Sequence, residues 1–250
     1  MMETNMIMNI KIILAFDGTN YHGWQEQENA STIQGELLQA IKSVMGDVQG
    51  VTGVSRTDSG VHAHYFVANF RTQKDIPLSN IKKAINSHLP HDIRVLDAQR
   101  ADDDFNARFD CKNKTYIYRI CNSEVQSPFE RLYSWHFPHK LDISKMQEAA
   151  GYFVGEKDFS AFCASGEQRE GKVRTINSLT ISKESDIVTI EVNADGFLYN
   201  MVRIIAGTLI EIGIGRYEPR DVKAIIEACD RTKSGQTAPS CGLFLKKAYY

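Results

Sequence analysis

The sequence predicts an α+β protein built from two successive βαββαβ halves, each an antiparallel sheet with helices on one face. Three observations carry this expectation. Runs of strand length alternate with stretches of helical periodicity. The order of those runs in the first hundred residues is repeated in the remainder, although no residue-level repeat accompanies it. Finally, 250 residues with 42% hydrophobic and 24% charged side chains suffice for one large or two ordinary domains with their own cores.

The first half opens with a β-rich run, Asn9 to Phe16, ended by Asp17-Gly18-Thr19. Ser31 to Met45 then places Ile33, Leu37, Ile41, Val44 and Met45 at helical spacing behind a capping box, Ser31-x-x-Gln34. Two further β-type runs follow, Gly50 to Ser55 and Tyr65 to Arg71. A helical pattern through Ile81, Ile85 and Leu89 is stopped by Pro90, and Ile93 to Ala98 reads as the last strand.

The second half begins with Lys114 to Ile120, where Tyr116, Tyr118 and Ile120 alternate with Ile117 and Arg119. A helix is expected from Asp142 to Val154, strands at Thr175 to Ser182 and Ile187 to Asn193, and an apolar helix from Phe197 to Ile212. A second helix after Pro219 and a β-type run from Leu243 to Ala248 complete the order. The simplest account is two ferredoxin-like domains, 1–104 and 105–250, joined near residues 100 to 112. A cleft between such halves is a natural place for a site.

Composition narrows the function classes. Lys plus Arg number 29 against 31 Asp plus Glu, a net charge of −2, which excludes a binder working by bulk polycation attraction. Any anion site must therefore be local. Five widely spaced cysteines (Cys111, Cys121, Cys163, Cys229, Cys241) without a C-x-x-C pair form neither a disulfide framework nor a zinc module, and fit a reducing cytoplasm. Met1 to Lys11 lacks the pattern of a secretory signal. The most apolar stretch, Phe197 to Gly215, contains Arg203 and Glu211 and is shorter than the roughly 20 apolar residues of a spanning helix.

Four features carry possible chemistry. Ser55-Arg56-Thr57-Asp58-Ser59-Gly60-Val61-His62-Ala63-His64 packs acid and base into a turn beside a strand. Such junctions display catalytic groups on a rigid frame; equally, Asp58-Ser59-Gly60 reads as a plain tight turn. His62 and His64 face the same way on a regular strand and, with Asp58, form a candidate metal set without a further ligand cluster, against the commoner fate of packing or surface histidines. Arg203 lies in a helix apolar on nearly every side, where a guanidinium needs a carboxylate partner or must snorkel to solvent. Glu211, eight residues on, is about 12 Å along the axis, so a partner must come from elsewhere. Tyr116 and Tyr118 sit among cations, with a local charge of +3 from Asn106 to Ile120; they read either as base-stacking aromatics or as ordinary core. Glu184 to Asp195, by contrast, carries −4.

Taken together, these residues resemble the TruA-type tRNA pseudouridine synthases. Ser55 to Ala63 is similar to the central motif of that family. Asp17-Gly18-Thr19-x-Tyr21-x-Gly23-Trp24-Gln25, Phe105-x-Ala107-Arg108-Phe109, Lys114-x-Tyr116-x-Tyr118, Phe159-Ser160-x-Phe162, Gly196-Phe197-Leu198-Tyr199-x-Met201-Val202-Arg203 and Ala238-Pro239-x-x-Gly242-Leu243-x-Leu245 resemble further family blocks, in the family's order, over nearly the whole chain. The resemblance implies two ferredoxin-like domains forming an extended antiparallel sheet with a basic active-site cleft, and a homodimer. It implies isomerisation of uridine to pseudouridine at positions 38, 39 and 40 of the tRNA anticodon stem-loop, without cofactor or metal, on a nucleotide that has left its stack.

The same resemblance implies residue roles. Asp58 matches the catalytic carboxylate, which must hold the fragments while C1′–N1 becomes C1′–C5. Arg203 matches the arginine that pairs with it and keeps it ionised. Tyr116 matches the tyrosine that stacks on the target base and moves the C5 proton. Arg56 resembles the residue that engages backbone near the flipped nucleotide, Leu243 is an apolar wall, and Arg108, Lys114 and Arg174 are phosphate-contact candidates. Ser55 and Ser59 stand where many members carry Gly and Ala, and Asn106 and Asn200 where many carry other polar residues; these departures bear on tRNA preference. Two readings of other classes remain distinct: an RNA-binding module using its sheets as a platform, and a metal-dependent hydrolase built on Asp58, His62 and His64.

Overall fold

A computed structural model describes residues 7–46, 48–74, 76–166 and 171–250. The chain divides into two compact units, one of Met1–Lys112 with Leu245–Tyr250, the other Asn113–Phe244.

In the first unit the central strand is β1 (Met8–Phe16), flanked by β3 (His62–Thr72) and β4 (Ile93–Arg100), both antiparallel to it. The short β2 (Val51–Gly53) pairs with the opposite edge of β3, Val51 facing Phe70. Apolar runs at Ile10, Ile12, Leu14, Phe66, Val67, Ala68 and Phe70 explain why these strands form a core: none is more than 1% exposed. Helix α1 (Ile33–Met45) buries Ile33, Leu37, Ala40, Ile41, Val44 and Met45, while α2 (Leu78–Asn86) buries Ile81 and Ile85 and lies on β4.

In the second unit β5 (Asn113–Cys121) pairs antiparallel with β9 (Ile187–Ala194), β9 with β8 (Val173–Glu184), and β8 with β7 (Gly155–Asp158). The two-residue β6 (Trp135–His136) runs parallel beside β5. Helix α3 (Ile143–Phe153) packs on β8 and on α4 (Met201–Gly213). The short α5 (Asp221–Ala228) precedes β10 (Leu243–Tyr249), whose first two residues belong to this unit and the rest to the first. Every residue of α4 is buried except Arg203. Phe153, Phe159 and Phe162 are fully buried, with the Phe162 ring in contact with each of the other two. Among the described residues no helix is long and apolar enough to cross a membrane.

The structure corrects several boundaries. The cap of α1 is Thr32, whose hydroxyl accepts from the Gly35 amide, and not the Ser31–Gln34 box. Gln34 is drawn away instead, accepting from Glu26 N and donating to Val51 O. Helix α2 ends at Asn86, one turn before Leu89, because the Asn86 amide caps the neighbouring strand, accepting from Val95 N and donating to Val95 O. Helix α4 starts at Met201, not at Phe197, since Asn200 takes a left-handed backbone, φ 61°. The short strands β6 and β7 had no sequence signal.

The alternation expected of His62 and His64 also fails. Leu14 faces Phe66 but Phe16 faces Ala63, so two residues of β3 oppose Ala15 alone. This bulge resets the pleat, leaving His62 buried and His64 exposed.

Candidate active site

The loop between β2 and β3 carries Asp58. Its carbonyl accepts from Val61 N at 3.2 Å, closing a turn that Gly60 completes at φ +76°. A second loop, between β1 and α1, clamps this turn. Trp24 N donates to Thr57 O, and Gly60 N and the Ser59 hydroxyl both donate to Tyr21 O, each at 3.2 Å. The clamp leaves no space for a methyl group: a Cβ at Gly18 would lie 1.9 Å from Val61 O, and one at Gly23 would lie 2.3 Å from Thr57 O. The motifs Asp17 to Gln25 and Ser55 to His64, distant in sequence, are therefore one structural piece.

Its base is a histidine contact. His62, 1% exposed, sets Nδ1 at 3.0 Å from Asp17 Oδ1 and at 3.1 Å from Gly18 N. Asp17 Oδ1 also accepts from the Thr19 amide and hydroxyl. Tyr21 donates its hydroxyl to Asp92 at 2.6 Å, and burial followed by the Asp92 carboxylate pushes that phenol well above its ordinary range. The result is a rigid seat holding Asp58 half-buried, with Arg56 exposed beside it. Among the described residues no three His, Cys, Asp or Glu side chains gather as a metal would need.

The loop Phe105 to Phe109 of the same unit is pinned from below. Asn9, 1% exposed, donates to the carbonyls of Asp102 and Phe105; Asn69, 7% exposed, donates to Asn9 Oδ1 and Phe105 O and accepts from Ala107 N. The Tyr250 hydroxyl closes the network on Ala107 O at 2.6 Å. Arg108, half-buried, lies over the Phe109 ring at 5.6 Å. Sequence reasoning missed this clasp, though an asparagine within each of two apolar strand runs was its signal.

In the second unit both tyrosines of β5 are inside. Tyr118 is fully buried and donates to Pro239 O at 2.7 Å; burial pushes its phenol far up, the nearby Arg203 charge opposing. Tyr116 is 6% exposed and meets Phe197 edge-to-face, centroids 5.1 Å apart. That contact joins the Lys114–Tyr118 block to the Gly196–Arg203 block. Lys114 is half-buried at the start of β5. Arg174 covers Gly196, where a Cβ would lie 3.4 Å from its Nε, and its Nη1 donates to Gly171 O and Val173 O.

Arg203 is the one residue of α4 that is not buried. Its Nε donates to Ala238 O at 2.7 Å, and Ala238 N returns a bond to Arg203 O at 3.1 Å. Nη1 donates to Asn200 Oδ1 at 2.7 Å. Glu211 is committed elsewhere, to Arg216 at 2.8 Å. Burial raises the Cys241 thiol pKa, with the Arg203 charge among the opposing influences. Leu243, 6% exposed, follows Gly242, whose missing Cβ lets it approach the Tyr118 ring. Arg56, Asp58 and Arg108 thus belong to the first unit, and Lys114, Tyr116, Arg174, Arg203 and Leu243 to the second.

Comparison with known proteins places the chain in a family. Residues 12–110 and 149–250 match the family model described as tRNA pseudouridine synthase. The chain is 49% identical over 242 residues to the tRNA pseudouridine synthase A of Thermoanaerobacter sp. (strain X514), covering 97% of this chain and 99% of the relative. It is 48% identical to the protein of that name from Acetivibrio thermocellus, and 46% to the one from Caldicellulosiruptor saccharolyticus, with the same coverage in both cases. With the family model covering most of the sequence and such relatives matching end to end, the chain belongs to the tRNA pseudouridine synthase family.

Proposed function

We propose that this protein isomerises uridine to pseudouridine at positions 38, 39 and 40 of the tRNA anticodon stem-loop, with Asp58 as the catalytic carboxylate. The observation that carries the reading is the clamp of the Asp17 to Gln25 loop on the Ser55 to His64 loop, which fixes a half-buried carboxylate on a rigid turn. Preorganisation of this kind is what a site needs in order to act on a reacting atom without reorganising.

In the reaction, the C1′–N1 bond breaks, the base turns in place, and C1′–C5 forms; C5 gives up a proton and N1 gains one, so atoms balance. Asp58 adds to the base, adds to the sugar, or takes a proton to open a glycal route, and all three begin from the ionised carboxylate. Arg203, held at two edges of its guanidinium by Ala238 and Asn200, supplies positive charge that keeps a carboxylate ionised. Tyr116 supplies a ring face and a hydroxyl for the C5 proton. Arg56 engages backbone near the flipped nucleotide, Leu243 walls the base, and Arg108, Lys114 and Arg174 meet phosphates.

The reading includes two ferredoxin-like domains, 1–104 with the Asp58 loop and 105–250 with Tyr116 and the Arg203 helix. The strand orders β4-β1-β3-β2 and β5-β9-β8 support it, since in each a later antiparallel strand lies between two strands joined through a helix. A cytoplasmic homodimer acting on tRNA completes it.

The test is to map pseudouridine in tRNA after incubation with the protein and with its Asp58→Asn and Asp58→Ala variants. The wild-type protein should fill positions 38 to 40, and both variants should form none while still binding tRNA. Full activity in either variant would sink the assignment of Asp58, and modification confined to other positions would sink the target.

A further inference from the structure

Asn200 directly precedes α4 and holds a left-handed backbone, φ 61° and ψ 9°. Among the described non-glycine residues only Ser185 and Cys229 share a positive φ. An asparagine starting a helix ordinarily takes an extended backbone and turns its Oδ1 onto an amide of the first turn. Asn200 makes no such capping bond; its Oδ1 accepts from Arg203 Nη1 at 2.7 Å. A cap contact is given up and a disfavoured backbone adopted, and the return is a fixed guanidinium. Asparagine is the side chain suited to this, because it tolerates the left-handed region better than most other non-glycine residues and carries a short acceptor.

A further anchor of Arg203, Ala238 O, is rigid. The segment 235–238 is locked on α4: a Cβ at Gly207 would lie 1.9 Å from Gln236 O, and Gly235 N donates to the Thr208 hydroxyl at 2.9 Å. With Nε tied there, the bond from Nη1 to Asn200 constrains the plane of the guanidinium about a further direction.

We propose that Asn200 is a positioning residue for the isomerisation, setting the rotamer in which Arg203 presents its charge to the reacting site. The proposal rests on the catalytic reading of Arg203 given above. It acts through geometry, so its loss should fall on kcat rather than on tRNA affinity or on stability.

Three variants separate the contributions. Asn200→Gly keeps the left-handed backbone without cost and deletes the acceptor; Asn200→Asp keeps the acceptor; Arg203→Lys removes the fork that Asn200 positions. On unmodified tRNA, Asn200→Gly should lower kcat by on the order of tenfold to a hundredfold, with tRNA Kd and thermal midpoint near those of the wild type. Asn200→Asp should recover most of the rate. In the Arg203→Lys background, Asn200→Gly should add little, because the two changes act through one group. Wild-type kcat in Asn200→Gly, or a full additive loss in the double variant, overturns the proposal. Arg203→Ala is the separate control: if it is inactive while Asn200→Gly is normal, only this inference fails, whereas full activity in Arg203→Ala removes the reading beneath it.

Discussion

A single methyl group is enough to test the clamp around Asp58. At Gly23 the backbone has φ +84° and an added Cβ would lie 2.3 Å from Thr57 O and 3.3 Å from Asp58 O. Gly46 has nearly the same φ, +83°, with nothing within 4 Å of the added atom. Both Ala variants therefore carry the cost of an alanine at positive φ, about 1–3 kcal/mol, but only Gly23→Ala adds overpacking, about 1–3 kcal/mol more. In urea unfolding Gly23→Ala should lose clearly more stability than Gly46→Ala, and it alone should lose pseudouridine formation, because the backbone it displaces is that of Asp58. Equal losses in the two would show that space around Asp58 is not what Gly23 provides. The sequence displays both glycines, and Gly23 sits inside a recognisable block. What it cannot display is that the block's partner is Thr57-Asp58, thirty-odd residues away, because that contact is made through backbone carbonyls common to every residue type. His62 illustrates the same limit: its burial against Asp17 goes with a bulge of β3 opposite Ala15, and a bulge has no side-chain signature here.

At the scale of elements, periodicity located every long strand and helix, because burial of one face imposes it. Ends were less legible. Helix α1 starts one residue later than its capping box, helix α2 stops early, and helix α4 starts four residues late. At the first two a polar side chain is used on another element, Gln34 on Val51 and Asn86 on Val95; at the third Asn200 turns onto Arg203, three residues on, in place of a capping bond. The asparagines of β1 and β3 show how much one such group holds. Replacing Asn69 with alanine removes the acceptor of Ala107 N, and Ala107 is fully buried, so an orphaned donor remains at a cost of about 1–3 kcal/mol. The variant should unfold at lower urea and, because the Phe105 to Phe109 loop loses its anchor, should bind tRNA more weakly than the wild type. A Thr72→Ala exchange on the same strand is the comparison, since Thr72 is also buried but its hydroxyl accepts from the amide of Lys74, only two residues on. If Asn69→Ala matched it in both stability and affinity, the clasp would hold nothing that matters.

For the whole molecule the governing number is the net charge of −2. A uniformly basic surface is excluded, so attraction to tRNA must come from a few local cations, and the dependence of affinity on salt counts them. Arg56, Arg108, Lys114 and Arg174 are the four candidates, two in each compact unit. If each neutralises one phosphate, log K should fall with log salt at a slope of about −3, each contact contributing between about −0.7 and −0.9. Arg174 should be the weakest contributor, because its Nη1 is already committed to the carbonyls of Gly171 and Val173. Titrations of tRNA at several KCl concentrations check this directly. Alanine at Arg56, Arg108 or Lys114 should each make the slope shallower by nearly one, and Asp186→Asn, in the acidic stretch Glu184 to Asp195, should leave it unchanged. A slope near zero would mean that tRNA is held without phosphate contacts. A steep slope that survives all three alanine variants would place the contacts on other cations of the chain.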